Sequence, residues 1–217
     1  MNDVQTAPAP AKKSPAAKRQ PLKKSDATRQ RILDAAAHVF HSKGYALARL
    51  SDIAKRAKTQ TGSIYYYFAS REAIVAEVLR VANERTAAFV NGRIAALPAN
   101  ASVQERIEAA IHGHFAIVLS GDKYASAHMR IFDQTPKKVR EHFLRVLDEN
   151  AEVWRTLFAE ARAAGVIRND VDLSVMRLLL LGMMNWSIEW YRPGKLSVDE
   201  IADQATILFL EGVGTKR

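Results

Sequence analysis

Between residues 61 and 68 the chain reads Thr-Gly-Ser-Ile-Tyr-Tyr-Tyr-Phe, a run rich in hydroxyl groups and small side chains. Its chemistry is non-covalent: hydroxyls and backbone amides can bond phosphate oxygens and base edges. Thr61, Gly62 and Ser63 are small enough for a backbone to approach a duplex, and at a helix N-terminus their amides point toward phosphate. Three consecutive tyrosines on a helix fan out by about 100° each, so Tyr65, Tyr66 and Tyr67 cannot all face a core. At least one must be exposed. Ile64 and Phe68, four apart, supply the core side.

Reactive chemistry finds little support elsewhere. The 217 residues contain no cysteine, which excludes thiolate nucleophiles, thiolate metal sites and disulfides. No glycine-rich phosphate loop follows a strand pattern, and no Ser-His-Asp or paired-carboxylate arrangement emerges. His112 and His114 are two apart on a helix and face different ways. His38 and His41 share a face but have no third ligand beside them. No metal and no cofactor are expected, and an all-α enzyme is the weakest alternative. The most apolar run, 178–186, falls short of the roughly 20 residues a bilayer requires. The N-terminus lacks the apolar stretch of a secretory signal. The expectation is a cytoplasmic, nucleoid-associated protein.

The net charge of +9 is unevenly placed. Residues 1–24 hold six Lys/Arg against one acid, residues 25–80 nine against five, and residues 81–217 seventeen of each. All the excess lies in the first 80 residues, a polyanion-binding end joined to a neutral body.

The elements that position these groups are helical. Residues 1–24 carry four of the seven prolines and no apolar period, and read as a disordered basic arm. Lys23 and Lys24 of that arm are candidates to track a groove or the phosphate backbone. Apolar periodicity then predicts helices over 26–42, 51–57, 61–68, 70–94, 103–118, 124–133, 136–165, 173–191 and 197–211, nine in all. Gly44 and Gly165 are the stops, and Ser70 is an N-cap. The fold class is all-α, with a helix-turn-helix module at 25–72 and a larger domain at 73–217 that begins inside the fourth helix.

Two short helices joined by a brief turn and buttressed on both sides form a helix-turn-helix, whose second helix enters the major groove. Here the chain resembles the TetR-type repressors. The resemblance rests on TRQRILDAAAHVFHSKGY at 28–45, DIAKRA at 52–57, GSIYYYF at 62–68 and SREAI at 70–74. It implies DNA contact from Ser51, Thr61, Gly62, Ser63, Tyr65, Tyr66, Tyr67 and Arg71, with Arg71 on phosphate. Two positions depart from the family. Arg49 stands where Ser or Thr usually caps the first short helix, so Ser51 is expected either to take over the cap or to reach DNA. Lys58 stands where Gly is usual in the turn, and because a left-handed lysine costs on the order of 1 kcal/mol the turn is expected to differ slightly.

The resemblance also implies an effector pocket in the second domain and a homodimer made by the last two helices. Helix 173–191 contains Leu-Leu-Leu-Leu-Gly-Met-Met, apolar nearly all round, and a helix of that kind is buried on every side. Leu180, Met184, Ile201, Ala205, Leu208 and Phe209 are the candidate dimer residues. Two-fold symmetry would match a palindromic operator in double-stranded DNA. Segment 182–213 is similar to regulators of fatty-acid, aromatic-acid or steroid breakdown, several of which sense acyl-CoA thioesters. Such a pocket needs an apolar lining, for which Phe115, Met129, Phe132, Trp154, Met183 and Trp186 are candidates. It also needs cations for the nucleotide end, with Arg130, Arg177 or His128 as candidates.

The function expected is a ligand-released transcriptional repressor. The alternative is a basic protein that binds nucleic acid without sequence preference. Deleting residues 1–24 would abolish binding in that alternative and only weaken it in the first.

Overall fold

A computed structural model of the chain describes residues 24–149 and 151–214. Residues 1–23, which carry all but the last residue of the basic arm, lie outside the described residues, and with them Lys23. Lys24 opens the first helix, two residues ahead of the expected start. The described chain is all-α, with ten α-helices, one short 3-10 turn and no strand. An isolated antiparallel bridge joins Ile167 to Gly214. No helix among the described residues is long and apolar enough to cross a membrane.

Helix α1 (Lys24–Leu47) is interrupted at Gly44, whose φ of 71° and ψ of 178° leave the helical region. Then come α2 (Leu50–Arg56), α3 (Thr61–Tyr67) and α4 (Arg71–Ala95). The body holds α5 (Val103–Val118), α6 (Lys123–Ile131), the 3-10 turn Phe132–Gln134, α7 (Lys137–Glu149) and α8 (Glu152–Ala163). Helices α9 (Leu173–Trp190) and α10 (Val198–Val213) complete it.

Side chains satisfy the orphan amides that open these helices. Ser70 Oγ accepts from Ala73 N–H at 3.2 Å, starting α4 where expected. Ser102 with Glu105, and Ser197 with Glu200, form reciprocal boxes at the starts of α5 and α10. Asp122 and Asp172 each accept two backbone N–H groups at the starts of α6 and α9.

The expected single helix 136–165 is two helices, α7 and α8. No glycine or proline marks the break. The halves serve different cores: Phe143 of α7 packs with α1 and α4, whereas Trp154, Leu157 and Phe158 of α8 pack with α5, α9 and α10. One straight helix cannot face both, so the chain turns at Ala151, where φ is −77° and ψ is 8°.

Helix α4 runs through both cores. Ile74, Val75, Val78 and Leu79 belong to the first, and Val90 to the second. At its far end α4 meets α5 so closely that a Cβ on Gly113 would lie 2.9 Å from Phe89 O and Val90 Cα. Only glycine permits that approach.

Candidate nucleic-acid interface and effector cavity

The first core holds α2 and α3 in place through Ile53, Ala54, Ile64 and Phe68, all buried. Lys58, in the turn between them, has φ of 52°. This left-handed residue lets the backbone double back within four positions, with Thr59 N–H bonding Ala54 O at 3.0 Å. Arg31 of α1 donates from Nε to Ala57 O at 2.8 Å and closes the C-terminal end of α2.

Ser51 does not cap α2. Arg49 occupies the N-cap position, and its backbone N–H donates to the Asp52 carboxylate at 3.2 Å. Asp52 also pairs with Lys43 at 2.9 Å. These contacts hold its carboxyl below the usual range. The cap is supplied from inside the helix, which leaves the Ser51 hydroxyl exposed in the first turn.

Thr61 and Gly62 are exposed, and Ser63 is half-buried. Tyr66 is 82% exposed and Tyr65 56%. Tyr67 is half-buried and meets Tyr66 edge to face at 5.1 Å between ring centroids. Lys55, Arg56 and Lys58 are exposed cations on and beside α2. An open hydroxyl-rich surface with neighbouring cations is suited to a phosphate backbone. Arg71 is arranged differently. Its guanidinium lies 4.1 Å over the Tyr45 ring and donates to Tyr45 O, while Nε is buried without a partner.

A cavity of about 470 Å³ lies in the body, walled by α4, α5, α6, α7, α8 and α9. His128, Met129, Trp154 and Arg177, four of the nine residues expected in a pocket, line it. The other five do not. Phe115 is buried in the second core, and Phe132 packs edge-on against His128 and Phe143 at 5.8 and 5.9 Å. Arg130 is exposed, with its Nε near Gly44. Met183 lines a groove on the other side of α9, and Trp186 is 67% exposed. Spacing alone did not single out Asn83, Thr86, His114 and Asn185, which line the cavity from α4, α5 and α9.

Electrostatics separates the candidate cations. Burial lowers the His128 pKa to about 4, so the ring is neutral and cannot hold an anion by charge. Arg177 has only 12% of its side chain exposed and sits 3.4 Å from Asp148, which Arg155 also engages at 3.0 Å. It is the guanidinium on the cavity wall. Among the described residues no group of three His, Asp or Glu side chains is placed to hold a metal ion.

The outer faces of α9 and α10 carry Val175, Leu179, Met183, Trp186, Trp190, Ile207 and Leu208, all exposed. The expected dimer residues divide. Leu208 lies on this surface, whereas Leu180, Met184, Ile201, Ala205 and Phe209 are buried in the chain's own second core. A helix apolar all round must turn one face inward. In α9 that face carries Met176, Leu180, Met184 and Ser187.

Comparison with known proteins places this arrangement. Residues 32–78 match the model of the N-terminal domain of the bacterial regulatory proteins of the tetR family, and residues 100–213 match a tetracyclin repressor-like C-terminal domain. The HTH-type transcriptional repressor KstR2 of Rhodococcus jostii is 26% identical over 195 residues, 86% of this chain and 91% of that protein. The fatty acid metabolism regulator protein of Bacillus subtilis is 22% identical over 179 residues, 82% and 91% of the two chains. Among solved structures, AibR in complex with isovaleryl coenzyme A and operator DNA shares the fold. Its TM-score is 0.73 at 21% identity, over 83% of this chain and 97% of that one. The two family matches cover the reading head and the body in turn, and the chain belongs to the TetR family of transcriptional regulators.

Proposed function

We propose that the protein is a homodimeric, sequence-specific repressor that leaves a palindromic operator when an acyl-CoA thioester fills the body cavity. The observation that carries this reading is the double duty of α6. One face of α6 presents Ala125, His128 and Met129 to the cavity. Tyr124, Ala127 and Ile131 of the same helix pack into the core of the DNA-binding head. A ligand that moves α6 therefore moves α1, and with it the heads. It shifts the equilibrium only by its differential affinity for the two arrangements.

The cavity chemistry agrees with an amphiphilic anion. Val118, Leu147, Leu181 and Trp154 offer apolar wall, and Arg177 offers a positive charge whose Asp148 partner is itself largely exposed. A phosphate can displace that exposed carboxylate at small cost, because a solvated ion pair is worth little. The names of the similar proteins, a fatty acid metabolism regulator and a regulator crystallised with isovaleryl coenzyme A, support the same ligand class. The outer apolar face of α9 and α10 supports a dimer, since an exposed patch of that kind marks an interaction surface. Thr61, Gly62, Ser63, Tyr65, Tyr66, Tyr67 and Ser51 are the proposed reading surface. Arg71 joins it by swinging off Tyr45.

Fluorescence anisotropy on the duplex upstream of its own gene tests the reading. Binding is expected to exceed that of random duplex, with log K falling linearly with log salt concentration. An acyl-CoA should release the DNA where free CoA does not. Equal affinity for operator and random duplex refutes the repressor reading, and release by neither ligand refutes the effector class.

A further inference from the structure

Apart from Arg177 and Asp148, the body cavity has a polar band across a chamber that is otherwise apolar. Asn83 and Thr86 reach it from α4, His114 from α5, His128 from α6 and Asn185 from α9. His114 Nε2 lies 2.8 Å from Asn185 Oδ1. Burial keeps the ring neutral. Nε2 therefore carries the proton and donates, and Nδ1 presents a lone pair. That Nδ1 is buried and has no hydrogen-bond partner. Among the described residues, neither the Asn185 amide nitrogen nor the Asn83 side chain makes a hydrogen bond. Thr86 donates to Ala82 O at 3.0 Å, which leaves its oxygen lone pairs available.

Donors and acceptors thus meet in one chamber without satisfying one another. A saturated alkyl chain filling the space would strip the Asn83, Asn185 and Thr86 groups of water and return nothing, and each unpaired buried group then carries its full desolvation cost. A hydroxyl is the group that meets both needs: its O–H donates to an acceptor such as Thr86 Oγ1, and its oxygen accepts from an amide N–H of Asn185 or Asn83. We infer that the acyl group this cavity selects is oxygenated, bearing a hydroxyl along its hydrocarbon part that sits against Asn83, Thr86 and Asn185. The inference rests on the acyl-CoA reading of the cavity. It narrows that class, because a site built around a hydroxyl discriminates strongly against the analogue that lacks it.

Titration calorimetry of the full-length protein tests it with four probes: free CoA, decanoyl-CoA, and hydroxydecanoyl-CoAs substituted near the thioester or in mid-chain. At least one hydroxylated ligand is expected to bind tenfold or more tightly than decanoyl-CoA. Asn185→Leu should erase that preference. Asn83→Leu, which breaks no hydrogen bond of the fold, should reduce it, and circular dichroism checks that both variants fold. If decanoyl-CoA matches every hydroxylated ligand while all exceed CoA, the inference is overturned and the acyl-CoA reading stands. A preference that survives both substitutions overturns the placement of the hydroxyl. If no acyl-CoA exceeds CoA, both readings fall together.

Discussion

The Tyr124 hydroxyl donates to the Asp34 carboxylate at 2.6 Å and so ties α6 to α1 across ninety residues of sequence. Gln30 donates to the same phenolic oxygen at 3.1 Å, and the Arg85 guanidinium covers the ring at 4.1 Å while pairing with Asp122 at 2.7 Å. Burial and the adjoining carboxylate push the phenol pKa up, so it remains a donor throughout the physiological range. The joint stands between the cavity wall and the reading head.

Tyr124→Phe removes that donor and keeps the ring. The expected loss of stability is about 1–2 kcal/mol, measured by urea unfolding, since the bond ends on a charged acceptor. Operator affinity without ligand should stay within a few-fold of wild type. The ligand concentration needed for half release should rise. Unchanged release with reduced stability would confine Tyr124 to a structural part.

Glu77 gives a pH signature. Arg80 at 2.8 Å and Arg29 at 2.7 Å hold its carboxyl near 2, against an ordinary value of 4.5. A carboxylate depressed in the folded state stabilises above its unfolded pKa, and that contribution disappears as pH falls from about 5 toward 2. Both arginines are substantially exposed, so solvent screening reduces the contribution to about 1–2 kcal/mol. Glu77→Gln should be less stable by that amount at pH 7 and should converge on wild type by about pH 2–3. A constant gap from pH 7 to pH 3 would show that the charge is not the cause.

Tyr66, being so widely exposed, should matter to DNA and not to folding. Tyr66→Ala is expected to lower operator affinity about tenfold, or ~1.4 kcal/mol. The melting temperature should move by no more than about 2 °C. Anisotropy and thermal unfolding on the same preparation separate the two effects. A large fall in melting temperature would assign Tyr66 to packing.

Leu179 and Leu208 test which side of α9 and α10 faces a second subunit, being 70% and 68% exposed in the single chain. The double substitution to Glu should yield a folded monomer in sedimentation analysis, with operator binding lost. Met184→Ala, in the buried face, should instead cost about 2–5 kcal/mol of stability. If the double variant sediments as a dimer, the partner sits elsewhere.

Relieving the left-handed turn should be mildly favourable. Lys58→Gly removes a Cβ penalty of roughly 1–2 kcal/mol but adds unfolded-state entropy worth about 0.5–1 kcal/mol. A net gain of up to about 1 kcal/mol is expected in urea unfolding. A loss of stability would mean that the lysine side chain contributes packing or charge that outweighs its strain.

Most helices were legible because their causes are local. Ser70, Ser102 and Ser197 stand where orphan amides need acceptors, and apolar residues recur at helical spacing behind them. The break near Ala151 was not legible, because no turn residue marks it and its cause is the competition of two cores for one segment. The Asp52 cap was hidden for a related reason: Arg49 stands where a capping side chain is usual, and the carboxylate that replaces it lies three residues on.

Of this protein the sequence by itself determined the all-α class, the helix-turn-helix segment and the confinement of excess charge to the first 80 residues. Each follows from the residue types and their near neighbours. Only the tertiary structure decided which face of α9 turns inward, because a helix apolar on all sides carries no local preference. That choice put Leu180 and Met184 in the core and left Met183 and Trp186 outside. It also decided that Arg71 folds over Tyr45, twenty-six residues away, and that Asn83, His114 and Asn185 meet in one cavity. Those meetings depend on how separate helices pack, which no periodicity along a single helix encodes.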